Sequence, residues 1–370
     1  MKDINKYRGC LIGGAIGDAL GYSVEFIEDC DIFAKYGENG ITEYDLVNNV
    51  ALISDDTQMT LFTANGLLLG TTRGMMRGIM GTYPPYIALC YKDWLKTQTA
   101  EEFGFEPPEF SWLNNVPGMN HSRAPGRTCI SYLIHNNLGT TTEPKNNSKG
   151  CGGVMRVAPI GLYFDESKKY SLDKIDMIGA ETAALTHGHE LGYIPAAMLV
   201  HIVCLLSHTE ISVLDAVQDA KNAMHRLFPN AVHLSKLTTL TDKAIQLAVG
   251  KSIDDLDAIR ELGQGWVAEE TLAIAIYCSV KYSRDFEKAM IAAVNHSGDS
   301  DSTGAVTGNI LGAYLGINAI PEKFLENLEL KDTILEVADD LFNDCRMTEY
   351  GEYWDDVWVR KYIEHTYPGK

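Results

Sequence analysis

Gly9-Cys10-Leu11-Ile12-Gly13-Gly14-Ala15-Ile16-Gly17-Asp18-Ala19-Leu20-Gly21 carries glycine at every fourth position, and the rhythm returns at Gly304, Gly308, Gly312 and Gly316. Residues four apart lie above one another on an α-helix, so each series draws one glycine face. Glycine inside a helix costs about 0.8–1.0 kcal/mol relative to alanine. Close approach of two helix backbones explains repeating that cost, and the two stripes are expected to pack on each other. Both helices hold acids at an end: Asp18 and Glu25 on the first, Asp299 and Asp301 just before the second.

Outward from these stripes, helical signals dominate. Thr60–Leu69, Met198–Leu206, Val213–Leu227, Ala244–Val249, Glu269–Val280 and Leu328–Phe342 have helix-forming composition or apolar residues recurring three and four apart. Ile41–Val47 is the best strand candidate. The expected fold is all-α and compact, a single domain over 1–370. Thr97–Arg127 departs from the pattern: Pro107, Pro108, Pro117 and Pro125 alternate with Phe103, Phe105, Phe110 and Trp112, which reads as an ordered excursion or lid at about 97–127. Thr140–Lys149 reads as a surface loop.

Composition limits the partners. Hydrophobic residues are 45% of the 370, enough for one large core, and the formal net charge is −19. With lysines and arginines scattered, a nucleic-acid partner is excluded from the reading. Leu191–Leu206 falls short of a roughly 20-residue span and contains Pro195 and His201, so it reads as a buried core helix and no membrane partner is expected. Leu11–Ile16 is too short and glycine-rich for a secretory leader. The eight cysteines form no C-x-x-C pair, which fits reduced thiols and a cytoplasmic location.

The chemistry concentrates in Ser54-Asp55-Asp56-Thr57 and Ser297-Gly298-Asp299-Ser300-Asp301-Ser302-Thr303-Gly304, each just before a helical pattern. Such residues cap helices, yet two acid clusters without a lysine or arginine ask for a cation. Oxygen donors alone favour Mg²⁺, Mn²⁺ or Ca²⁺ over zinc. An EF-hand is excluded, because Ile310 stands where that loop needs a bidentate glutamate.

Six blocks in order, with the opening glycine helix and Glu25 as the first, resemble the ADP-ribosylglycohydrolase family. The others are Ser54–Thr57, the Lys149–Pro159 stretch with Met155-Arg156, Thr186-His187-Gly188-His189, Gly263–Leu272 with Trp266, and Asn295–Gly304. The resemblance implies an all-α fold with a binuclear site for two Mg²⁺ (or Mn²⁺) ions. It places Ser54, Asp55 and Asp56 as ligands on one side and Asp299, Asp301 and Ser302 on the other, with Asp301 bridging. Serine at 302 stands where many members have threonine. Glu25, Asp56 and Asp301 are the implied catalytic acids. Gly150, Gly152 and Gly153 would let backbone approach the diphosphate, beside Met155. Arg156 either adds charge there or is a buried structural arginine; His187 either touches substrate or bonds within the core. Trp266 is read as core; the Phe103–Trp112 aromatics are of a type that could stack adenine, and the role of their segment is left open.

The implied reaction is hydrolysis of the bond joining ADP-ribose to a protein or small molecule, with ADP-ribosyl-arginine the first expectation, ADP-ribose the product and a monomer the default. The alternatives are a two-metal phosphohydrolase and a catalytically silent ADP-ribose-binding or structural relative.

Overall fold

The computed structural model describes residues 2–165, 168, 170–250, 253–348, 351 and 353–369. Its regular elements are helices, joined by turns and three isolated β-bridges among the described residues.

The glycine stripes form the axis. Helices Ile4–Tyr22 and Ser300–Leu315 lie against each other along their whole length. A Cβ on Gly13 would stand 2.4 Å from the Gly308 carbonyl oxygen, and one on Gly17 would stand 2.0 Å from that of Gly304. Backbone touches backbone, and only hydrogen fits between. Around this pair stand Asp55–Arg77, Glu190–His208 and Ala268–Lys281, all largely buried. Glu190–His208 is apolar and long enough to cross a membrane by composition, but it packs inside the protein. Val213–Leu227 has the bounds its periodicity predicts.

Two expectations change. Ile41–Val47 forms no strand: Val47 pairs only with Val50, across a turn in which Asn48 and Asn49 take φ of 52° and 66°. The excursion starts later than Thr97, because helix Tyr83–Phe103 runs through that region before Gly104 ends it at φ 87°. Beyond Gly104 a buried carboxylate orders the chain: Asp93 Oδ2 accepts the amides of Glu109, Phe110 and Ser111 at 3.0, 2.7 and 2.9 Å. Trp112 is fully buried, and the segment ends against the start of Asp55–Arg77, where the Asp55 amide donates to the Arg123 carbonyl at 3.0 Å.

Candidate active site

Two helix N-termini meet beside the glycine axis. Ser54 caps Asp55–Arg77, its Oγ accepting the Asp56 amide at 3.1 Å; Asp299 caps Ser300–Leu315, its Oδ1 accepting the Ser302 amide at 3.3 Å. Acids in a first turn are favoured by the free amides and the helix dipole. The two motifs are tied directly, because the Ser302 hydroxyl donates to Asp56 Oδ2 at 2.7 Å. Asp18, fully buried, accepts the Ser54 and Thr57 amides at 2.9 and 3.0 Å and also the Thr57 hydroxyl. The glycine helix thus grips the acid-bearing turn. Sequence reading missed that positioning role.

Glu25 lies on the turn after the first glycine helix, its amide donating to the Gly21 carbonyl at 2.8 Å. Its carboxylate reaches those of Asp299 and Asp301, with one oxygen from each lying within 4.8 Å of the others. Burial, then the charges of Asp301, Asp299 and Asp55, push the Glu25 carboxyl up to about 10. Burial and the Asp301 charge push Asp18 up to about 7, and burial also holds Asp55, Asp56 and Asp299 well above the ordinary carboxylate range. Glu25 Oε2 is buried with no hydrogen-bond partner among the described residues. Crowded acids that raise one another, an orphaned oxygen and an almost all-oxygen donor set fit divalent metal.

The acids stand in a cleft of about 490 Å³. Asp55, Asp56, Asp299, Asp301, Ser302, Gly150, Gly152, Met155 and His187 all line it, with Ala124–Cys129 as one wall. Ser54 stays beneath, capping its helix. Gly153 packs under the floor, where a Cβ would meet the Gly192 carbonyl oxygen at 2.8 Å. Arg156 is not brought to the cleft: its fully buried guanidinium lies on the Tyr91 ring at 4.5 Å and donates to Thr186 Oγ1 at 2.8 Å. The Cys151 amide is occupied by the Trp266 carbonyl at 3.3 Å, so part of the glycine turn is already satisfied. Cys151, also missed, lines the cleft with Asp299 and Ser302.

Trp266 is not core. Its helix begins at Ala268, and Gly265, at φ 83° and packed on Asp299 and Thr303, turns the indole outward to 38% exposure. There it stacks on Phe26, with ring centroids 5.4 Å apart and planes 24° apart. Phe26 holds φ at 64°, a strained value for an aromatic residue. These two line the cleft, and the Phe103–Trp112 aromatics do not.

Residues 1–351 match the ADP-ribosylglycohydrolase family. The chain belongs to that family. Among curated relatives, ADP-ribosylhydrolase ARH3 of Homo sapiens is 25% identical over 361 residues, covering 89% of this chain and 90% of that protein. The ADP-ribosyl-[dinitrogen reductase] glycohydrolase of Rhodospirillum rubrum is 24% identical, covering 87% and 90%. A solved structure described as an ADP-ribosylglycohydrolase-related protein complex superposes with a TM-score of 0.59 at 24% identity, covering 92% of this chain and 98% of that one, a likeness of fold. The six sequence blocks of this ADP-ribosylglycohydrolase family member converge on one axis and one cleft, with Arg156 and Gly153 in supporting positions behind it.

Proposed function

We propose that the chain hydrolyses the glycosidic bond joining ADP-ribose to an acceptor, using two divalent metal ions, Mg²⁺ first. The observation that carries this reading is the convergence of Glu25, Asp55, Asp56, Asp299 and Asp301 on one cleft, with a buried Glu25 oxygen that has no hydrogen-bond partner among the described residues. Asp55 and Asp56, with Ser54 beneath, would hold metal from one side; Asp299, Asp301 and Ser302 from the other, Asp301 lying between. When bound, the ions supply an anchor for the ribose hydroxyls and Lewis acidity at the reacting centre.

The chain's own groups do the rest. Ser302 keeps Asp56 in one orientation. Glu25, whose carboxylate would be freed of its proton by positive charge nearby, is placed to accept a proton from the attacking water. The walls at Ala124–Cys129 and Gly150–Gly152 confine the sugar and keep the reacting atoms aligned.

Arginine is the acceptor we favour. Five carboxylates and one cation, Arg127, line the cleft, so two dications bring it to neutrality (4 + 1 − 5 = 0) and nothing there repels a departing guanidinium. The test is ADP-ribose release from an ADP-ribosylated arginine substrate, followed by chromatography with Mg²⁺ and with excess chelator. Metal-dependent release is expected. Release only from serine or O-acetyl substrates would overturn the acceptor, and phosphate in place of ADP-ribose would overturn the reaction.

A further inference from the structure

Arg156 is a fully buried cation with no carboxylate partner among the described residues. Burying an unpaired charge is costly, and its surroundings offset that only in part. Nη2 donates to the Thr182 carbonyl at 3.2 Å and to Thr186 Oγ1 at 2.8 Å, Nη1 approaches the Cys129 thiol at 3.3 Å, and the Tyr91 ring lies beneath the guanidinium. The Thr186 hydroxyl in turn lies 2.9 Å from His187 Nδ1.

This chain of contacts has a direction. Arginine only donates, so Thr186 Oγ1 must accept from Nη2. The hydroxyl's single hydrogen is then free for a second partner. The imidazole nitrogen is the stronger acceptor of the two within reach, because a thiol is a weak acceptor and Cys129 already faces Arg156. A hydrogen bond received at Nδ1 leaves the ring proton on Nε2. Nε2 faces the cleft floor: a Cβ on Gly150 would lie 3.4 Å from it, and one on Gly152 3.3 Å. Among the described residues it has no hydrogen-bond partner, although the ring is only 2% exposed.

We propose that Arg156 and Thr186 are positioning residues that lock His187 as the Nε2–H tautomer, so that it presents one hydrogen-bond donor, backed by a buried positive charge, to a phosphate oxygen of the substrate at the Gly150–Gly152 floor. The phosphate assignment rests on the proposed function; the tautomer lock does not. Burial, and then the Arg156 charge, push the His187 ring down to about 3, so it stays neutral and donates from one nitrogen only. This accounts for the Met155-Arg156 and Thr186-His187 pairs together. Met155 and His187 line the cleft, while their neighbours Arg156 and Thr186 form the wire behind it.

The test is ¹⁵N NMR of the full chain labelled at histidine, with ADP-ribose itself as the binding probe in Mg²⁺ buffer. Expected are a protonated Nε2 and a bare Nδ1 for His187 between about pH 6 and 8, given its depressed value, with the Nε2–H signal moving on ADP-ribose addition. Thr186→Val should mix the tautomers and weaken ADP-ribose about tenfold, about 1.4 kcal/mol, and Thr186→Ser should restore both. An Nδ1–H tautomer or an imidazolium in the unaltered protein would overturn the lock, whatever Thr186→Val does to folding. An unchanged tautomer in folded Thr186→Val would overturn the role of the wire. ADP-ribose failing to bind, or binding without moving the His187 signal, would overturn the phosphate assignment, and only the former counts against the proposed function.

Discussion

Ser302 and Asp56 are 246 positions apart in sequence, yet the serine hydroxyl donates to the aspartate Oδ2 at 2.7 Å. That one bond joins the two acid-bearing helix starts. Supporting partners of metal-binding carboxylates are typically worth about 10–100-fold in affinity or activity. Ser302→Ala should therefore lower turnover by about that factor and weaken metal binding, as isothermal titration would read. Asp301→Ala should bring turnover to background with the helical circular dichroism intact. Near-normal turnover in Asp301→Ala would remove it from the site.

The axis makes a sharper prediction. A Cβ on Gly308 would stand 1.9 Å from the Gly13 carbonyl oxygen, whereas one on Gly126 would meet nothing nearer than Cys129 Sγ at 3.9 Å. Overpacking of a tight interior costs about 1–3 kcal/mol and more where backbone must move. Gly308→Ala should lose at least about 3 kcal/mol in urea unfolding, and Gly126→Ala less than about 1 kcal/mol. Equal midpoints for both variants would contradict the backbone contact.

These residues also mark what a sequence can disclose. The glycine stripes were legible because a four-residue period is local information, and the acid clusters because capping places serine and aspartate at helix starts. The Phe26–Trp266 stack was not legible. It depends on left-handed backbone at Phe26 and Gly265, in segments some 240 residues apart in chain order (266 − 26 = 240). The Ala124–Cys129 wall is fixed by Asp55, which accepts the Gly126 amide at 3.2 Å, a long-range contact that no period encodes. Arg156 misleads for a simpler reason: on the turn after Gly153, adjacent residues face opposite ways, so Met155 lines the cleft and Arg156 the core.

Metal binding should release protons. Burial, followed by the neighbouring charges of Asp301 and Asp55, holds the Asp56 carboxyl well above its ordinary value, and Glu25 stands at about 10. Ligating carboxylates must be deprotonated, so the ions displace protons and bind more tightly as pH rises. Calorimetric titration of Mg²⁺ at pH 7, in two buffers of different ionisation enthalpy, should show net proton release, and affinity should be higher at pH 8 than at pH 6. Buffer-independent heats would contradict the crowding of acids.

Trp266 offers a reporter on the cleft. Its indole lines the cleft, whereas Trp94 and Trp112 are fully buried and Trp354 and Trp358 lie outside the cleft lining. ADP-ribose should alter the emission of the unaltered protein, and Trp266→Ala should remove most of that change. Aromatic contact of this kind is worth about 0.5–1.5 kcal/mol, so KM should rise about three- to tenfold with kcat little changed. A kcat loss at constant KM would move Trp266 from binding to the chemistry.

The last prediction concerns stability far from the cleft. His201 is fully buried between two carboxylates, Nδ1 at 2.8 Å from Asp176 Oδ2 and Nε2 at 2.9 Å from Asp219 Oδ1. A neutral imidazole donates from one nitrogen only, so meeting an ionised carboxylate at each calls for the imidazolium; burial raises Asp176, and the hydrogen bond and charge of His201 oppose that rise. Burial alone would push the ring down, but the hydrogen bonds and charges of Asp176 and Asp219 together outweigh it and hold His201 above its ordinary value. Arg226 also faces this cluster, but it is engaged by Asp173. A histidine raised on folding contributes stability that is fully present below the unfolded value of about 6.5 and is lost as pH rises through the folded one. Helices Leu172–Ala184, Glu190–His208 and Val213–Leu227 are joined here, so the loss should register as global unfolding. Thermal melts from pH 6 to 9 should show the unaltered protein losing Tm faster than His201→Gln, with the two curves converging at the alkaline end. Parallel curves would mean that His201 is neutral and that the three helices are held by packing alone.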